Sequence, residues 1–228
     1  TLFCPPAALP ENAAGLDAIM LRSLPAPSEL SDVVDDRVRT LCLGPGLGLE
    51  PAIKSLVEAA LQLDRITVLD ADALTVFTGT PEQLFEQTNP RCVLTPHEGE
   101  FARLFPDLSE ALRNGAPRLE SVQQAADRAG AVVLLKGAVT VVGAPGRAVH
   151  VHAALGSTAV PWLATAGAGD VLAGMIAGLA AASPACDLLR MTCFAVWLHA
   201  AVARHVGPGL IAEDLPDALP AVLRGLAK

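Results

Sequence analysis

The segment Ala164-Thr165-Ala166-Gly167-Ala168-Gly169-Asp170 places two glycines and a carboxylate directly before an apolar run that opens at Val171. Glycines ahead of a helix let successive backbone N–H groups converge on one point. The helix dipole adds positive potential there, so that point suits an anion. Asp170, in the first turn, would be a carboxylate beside an anion hole. Phosphoryl transfer to a hydroxyl needs both parts: a base for the hydroxyl proton and N–H donors for the developing charge. A plainer reading stands beside it, in which Asp170 only caps a helix and the glycines only permit close packing.

Four further segments carry residues of the same kind. Gly44-Pro45-Gly46-Leu47-Gly48 could let a ligand approach the backbone, though a strand-to-helix turn explains it almost as well. Asp70 and Asp72 follow an apolar run and suit either a cation or a helix cap, the cap being favoured for at least one of them. His97, between Pro96 and Glu98, reads as a solvated loop histidine unless the loop lines a ligand rim, and Glu98 and Glu100 suit the start of a helix reaching Phe105. Lys136-Gly137, with Thr140 nearby, could neutralise a phosphate or simply end a strand. His150 and His152 lack a third ligand and read as surface histidines, while His199 and His205 read as structural. No metal-ligand set is assigned. Trp162 and Trp197 suit packing in a core or pocket wall.

These residues need elements to hold them. Short apolar runs predict strands over Arg39–Leu43, Ile66–Leu69, Arg91–Leu94 and Ala131–Leu135, with Thr140–Val142 and Val149–Val151 as antiparallel additions. Helical spacing covers Glu50–Leu63, and helices are expected over Gly169–Ala182, Asp187–His205 and Asp214–Leu226. Continuous apolar strands alternating with helices indicate an α/β fold with a mainly parallel central sheet flanked by helices. Ligands in such sheets bind at the carboxyl ends of the strands, where Gly44–Gly48, Asp70, His97 and Lys136 all fall.

Composition narrows the classes. The chain has 228 residues, 52% hydrophobic and 18% charged, with 16 Lys plus Arg against 24 Asp plus Glu for a formal charge of -8. A mean hydropathy of +0.44 excludes intrinsic disorder. No Lys/Arg run is present to bind a phosphate backbone, so nucleic acid is not an expected partner. No apolar stretch reaches the ~18 residues of a membrane span, no membrane partner is expected and no secretory signal is visible. Five cysteines without CxxC spacing (Cys4, Cys42, Cys92, Cys186, Cys193) read as buried thiols of a reducing compartment, and a cytoplasmic location is expected.

Taken in order, the segments resemble the ADP-dependent NAD(P)H-hydrate dehydratases of the ribokinase-like superfamily. The resemblance rests on Gly44–Gly48, Leu69-Asp-Ala-Asp-Ala-Leu74, Leu94-Thr-Pro-His-Glu-Gly-Glu100, Leu135-Lys-Gly-Ala-Val-Thr140, Ala164–Gly174 and the ending Gly207–Pro216. It implies a three-layer ribokinase-like fold and repair of NADH or NADPH hydrated at C6 of the nicotinamide ring. ADP would be the phosphoryl donor with Mg²⁺. Asp170 would be the base on the C6 hydroxyl, with Gly167, Ala168 and Gly169 holding the phosphoryl group. Gly46 and His97, with Asp170, would meet the hydrate. Lys136, Gly137, Ala138, Val139, Thr140, Thr165 and Gly169 would meet the nucleotide.

Two departures accompany the resemblance. The family opens with a further strand, glycine-rich loop and helix, whereas this sequence opens at Thr1-Leu2-Phe3, so residues 1–228 are expected to form one domain lacking its N-terminal βα unit. The sheet edge so exposed would promote homo-oligomers. The family also often carries Asn-Pro-Gly where this chain has Val160-Pro161-Trp162. Two other functions remain open here: a small-molecule kinase of the same fold, and a nucleotide-binding domain without catalysis. Sugar kinases usually carry Asp-Thr before the glycine motif, against Ala164-Thr165 in this chain.

Overall fold

The computed structural model describes residues 1–183 and 185–226; Pro184 and the last two positions of the expected domain, Ala227 and Lys228, lie outside them. The strands are β1 (Leu2–Cys4), β2 (Leu21–Ser23), β3 (Thr40–Leu43), β4 (Ile66–Leu69), β5 (Cys92–Leu94), β6 (Val132–Leu135), β7 (Val139–Gly143) and β8 (His150–Ala153). The helices before β6 are α1 (Leu9–Gly15), α2 (Leu30–Val33), α3 (Pro51–Leu61), α4 (Asp72–Thr75), α5 (Pro81–Phe85), α6 (Glu98–Leu104), α7 (Pro106–Arg113) and α8 (Arg118–Ala129). Three longer ones follow β8: α9 (Ala168–Ala182), α10 (Leu188–Val206) and α11 (Asp214–Leu226).

The main sheet has the order β3-β4-β5-β6-β7-β8. Its first four strands are parallel and the last two are added antiparallel. This is the mainly parallel sheet that the sequence predicts, with boundaries within two residues of those expected. A separate parallel pair, β1 with β2, was not expected from the sequence.

Alternation along the strands explains the three layers. Leu69, Leu94, Val133 and Leu135 face one side, against Val57 and Ala60 of α3, Phe101 and Leu104 of α6 and Val122 and Ala126 of α8. Val68, Val93, Val132 and Leu134 face the other side, against Leu172, Ala173 and Ile176 of α9 and Ala195 and Val196 of α10. Successive side chains of a strand point to opposite faces, so strands apolar on both parities must be covered twice. Small residues on α9 and α10 let those helices lie close to the sheet. A third cluster joins α9, α10 and α11 through Ala168, Leu198, Val202 and Leu215.

Two expectations need correction. Only Cys4 and Cys92 are buried; Cys42 and Cys186 are exposed, Cys193 is intermediate, and all five are free thiols. Cys42 lies on the edge strand β3 and Cys186 in the link between α9 and α10, where packing is one-sided. Trp197 is neither core nor pocket wall: it is exposed and stacks on Phe194 at 5.8 Å between ring centroids. Among the described residues, no helix is long and apolar enough to cross a membrane.

Candidate active site

The loops at the carboxyl ends of β3 to β6 are bound to one another. Asp70 donates its backbone N–H to Leu43 O at 3.0 Å, and Lys136 donates its own to Pro96 O at 2.9 Å. Gly44, at φ +136°, lies so close to the Asp70 carbonyl that a Cβ would fall 1.7 Å from its oxygen. Only glycine fits there. Gly48 N–H donates to Asp72 Oδ2 at 2.9 Å. Asp72 therefore pins the glycine loop, and neither Asp70 nor Asp72 caps a helix: the capping position of α4 is Ala71, which offers no side-chain bond.

Asp70 is fully buried, with Oδ1 2.6 Å from Lys136 Nζ, while its Oδ2 has no partner among the described residues. Lys136 is thus not a solvated strand-end lysine. Its ammonium reaches α9, 3.2 Å from where a Cβ on Gly169 would stand.

His97 is not an idle loop residue either. It caps α6, its Nδ1 accepting from Gly99 N–H at 2.9 Å and Glu100 N–H at 3.4 Å. Glu100 returns the bond by accepting from His97 N–H at 2.8 Å, which completes a capping box. His97 Nε2 lies 3.2 Å from Glu100 Oε1, and the side chain stays about half exposed. Arg118 of α8 ties this helix to the next loop, bonding Glu98 at 2.7 Å and Lys136 O at 3.0 Å.

At the start of α9, Gly167 takes φ +80° and stands just before the first turn. Ala168 N–H points back to Thr165 O at 3.4 Å, and Val171 N–H begins the regular helical bonds by meeting Gly167 O. The N–H groups of Gly169 and Asp170 have no acceptor among the described residues, as first-turn donors lack one within a helix. The Asp170 side chain is exposed and makes no cap. Its carboxyl is held above the ordinary carboxylate range by desolvation first and by the Asp70 charge next, while Lys136 pulls it down and Asp72 adds a weaker upward push.

A cavity of about 460 Å³ opens beside this turn. Its lining includes Lys136, Gly137, Ala138, Thr140, Ala168 and Gly169, together with the apolar Leu155, Pro161, Leu163 and Val196. Thr140 Oγ1 donates to Gly137 O at 2.9 Å, which closes the turn after β6. Val139 and Thr165 do not line the cavity: Val139 pairs with Ala153, and Thr165 supplies the carbonyl that Ala168 meets. Gly46 and His97 lie outside it, Gly46 exposed at φ +67° with open space where a Cβ would be.

Two wall residues escaped the sequence reading. His152 and His199 both line the cavity, although the first was read as a surface histidine and the second as structural. The available signal was the set Val196, His199 and Ala200, which repeats at helical spacing on α10. Burial drives the His199 ring down to about 4, with the charges of His152 and Lys136 adding to that and a backbone bond to Ala168 opposing it. Its Nε2 is buried without a hydrogen-bond partner among the described residues. Trp162, by contrast, is turned away and donates its ring N–H to Ala203 O at 3.0 Å.

The family profile for NAD(P)H-hydrate dehydratase matches residues 2–219. The chain belongs to this family. It is 34% identical over 224 residues to the bifunctional NAD(P)H-hydrate repair enzyme Nnr of Methanopyrus kandleri, across 95% of this chain and 42% of that protein. It therefore spans less than half the length of that curated relative. Among solved structures it is similar to the ADP/ATP-dependent NAD(P)H-hydrate dehydratase of Bacillus subtilis co-crystallised with ATP and Mg²⁺. There the identity is 28% and the TM-score 0.74, over 96% of this chain and 76% of that one. A ribokinase-like superfamily protein of Enterococcus faecalis, 21% identical with a TM-score of 0.76 over 98% of this chain and 75% of its own, shares the fold. The family's ribokinase-like architecture is the one described above.

Among the described residues no group of three His, Cys, Asp or Glu side chains forms a metal cage. Mg²⁺ carried by nucleotide phosphates needs only one or two carboxylates, however. The unpartnered Asp70 Oδ2 and the excess of Asp70, Asp72 and Asp170 over the single Lys136 that Asp170 feels suit such an ion.

Proposed function

We propose that this chain carries out ADP-dependent dehydration of NADH or NADPH hydrated at C6, as its family membership suggests. The observation that carries the reading is the start of α9. Two N–H groups without an acceptor among the described residues and a carboxylate of raised proton affinity stand there together, in a turn whose Ala168 and Gly169 line a cavity within the volume range of small-ligand sites while Asp170 lies outside its lining.

Asp170 accepts the proton of the C6 hydroxyl as its oxygen attacks the β-phosphorus of ADP, and AMP leaves. The N–H groups of Gly169 and Asp170, presented by the turn that Gly167 and Ala168 form, hold the charge that builds on the phosphoryl oxygens. The C6–O bond then breaks as the lone pair of the ring nitrogen forms a C=N bond to C6, and inorganic phosphate leaves with the hydroxyl oxygen. Loss of a proton from C5 to water then sets the C5=C6 double bond of the reduced nicotinamide, so the hydroxyl proton goes to Asp170, the C5 proton to solvent and the oxygen to phosphate. Each backbone donor of this kind contributes about 10²- to 10³-fold in rate. Mg²⁺, when bound, neutralises the phosphates, and Asp70 and Asp72 are the residues that would hold it.

Lys136, Gly137, Ala138 and Thr140 take the nucleotide along the cavity wall, with Val139 and Thr165 supporting that wall from behind. The hydrate lies toward Gly46 and His97, outside the cavity and across the rim. Both His97 nitrogens meet α6, Nδ1 in the cap and Nε2 beside Glu100, so the hydrate would meet the exposed carbon edge of the ring. Residues 1–228 act as one ribokinase-like unit in the cytoplasm, and association through the open edge at β3 belongs to the same reading.

The test is a turnover assay with hydrated NADH, ADP and Mg²⁺, following the return of reduced-nicotinamide absorbance. ADP-dependent recovery with release of AMP and phosphate is the expected result. A stable phosphorylated product without phosphate release would replace this reading with a kinase.

A further inference from the structure

The Asp70–Lys136 pair is unusual in what it leaves unpaired. Asp70 is fully buried, yet one of its oxygens bonds only Lys136 and the other bonds nothing among the described residues. A buried ion pair repays its desolvation only with further hydrogen bonds, so a half-satisfied one is poor as a structural device. Lys136 also faces two ways. Its ammonium meets Asp70 at 2.6 Å, and the same side chain lines the cavity against Gly169. An ammonium has three donors, and Asp70 takes one.

We propose that Asp70 is a positioning residue for the nucleotide's phosphates: it fixes the Lys136 ammonium over the first turn of α9, so that the remaining Lys136 donors face the same anion as the Gly169 and Asp170 N–H groups. The proposal rests on the nucleotide reading given above. A lysine on a four-carbon stem samples many positions, and a point charge without an anchor discriminates little. Anchored by the buried carboxylate of a residue whose backbone packs on Gly44 and bonds Leu43, the ammonium is fixed relative to three loops of the rim. Asp70 does not touch the nucleotide itself, and calorimetry in metal-free buffer separates this role from its hold on Mg²⁺. It acts through Lys136.

The signature is selectivity by phosphate charge, measured on the whole chain by calorimetry with ADP and with adenosine as probes. Lys136→Met should lower the ADP-to-adenosine affinity ratio about 10-fold, the scale of one charge-assisted contact. Asp70→Asn should lower it by a similar factor while adenosine affinity holds. The double variant should fall no more than about 3-fold below Lys136→Met alone, because the two residues act in series.

A purely structural role for Asp70 predicts equal losses for ADP and adenosine, and that result overturns the proposal. So do an unchanged ratio in Asp70→Asn and fully additive losses in the double variant. If Asp70→Asn fails to fold, Asp70→Glu serves instead: the longer carboxylate shifts the ammonium, so a lowered ratio supports the proposal and an unchanged one overturns it. A parent that binds no ADP overturns both this proposal and the nucleotide reading. A parent that binds ADP but turns over no hydrate removes the dehydratase alone.

Discussion

Two glycine-rich loops lead into helices in this chain, and they use their backbone in opposite ways. In Gly44–Gly48 the glycines serve the protein itself: the Gly44 face is filled by the Asp70 carbonyl, and the Gly48 N–H is held by Asp72. Only Gly46 is left open. In Gly167–Gly169 the backbone donors are left over: the N–H groups of Gly169 and Asp170 have no acceptor among the described residues. One loop locks the rim of the sheet and the other offers donors to a ligand. A glycine motif therefore acquires chemistry only when the partners of its N–H groups are known.

Substitutions can break or sharpen that contrast. The largest effect is expected for Asp170→Asn, which should lose about 10²- to 10⁴-fold in turnover while ADP binding persists in calorimetry. Turnover at the parent rate would remove Asp170 as the base. Next comes the pair of glycines. Gly44→Ala must force a methyl against backbone at a positive φ and should cost about 2–5 kcal/mol in urea unfolding. Gly169→Ala meets only the flexible end of Lys136 at 3.2 Å, so it should fold with a change below about 1 kcal/mol but bind ADP more weakly. Equal destabilisation by the two would erase the distinction.

A third effect concerns pH. His199 titrates near 4 when folded, against 6.5 for a free side chain. The unfolded chain therefore takes up this proton first as pH falls, and the folded state loses stability between roughly pH 6.5 and 4, on the order of 3 kcal/mol from this group. His199→Gln should flatten that part of the urea-midpoint profile; an unchanged slope would show that His199 does not stay neutral. The smallest effect on stability is expected for Asp72→Ala, about 1 kcal/mol for a lost bond to Gly48, and because Asp72 would also hold Mg²⁺ its turnover should need more Mg²⁺ than the parent's.

Much of this was legible in the residues. Ile66–Leu69 and Asp214–Leu226 were expected with the bounds they have, since an apolar run between polar ends and a capped periodic stretch are local signals. Loop convergence at the strand ends followed from the parallel pattern. What stayed hidden depends on distance in sequence. Lys136 and Asp70 are 66 residues apart, and only the sheet order brings them together. His150 and His152 are alike in sequence, yet one is exposed and the other lines the cavity because of where β7 lies. The strands β1 and β2 have three residues each, too few to carry a period.

The antiparallel return of β8 has a consequence for how this cavity can change. Thr140 of β7 and His152 of β8 are direct cross-strand partners, and both face the cavity. Their alignment is set by the turn between the strands, well away from the cavity. A slip of one residue in a sheet exchanges its faces, so a register slip from one residue inserted between Gly143 and His150 would bring Val151 to the wall in place of the imidazole, and one from a deletion would bring Ala153. The length of a remote hairpin turn is thus itself a determinant of what the cavity accepts, and variation there would rewrite the lining with every wall residue intact.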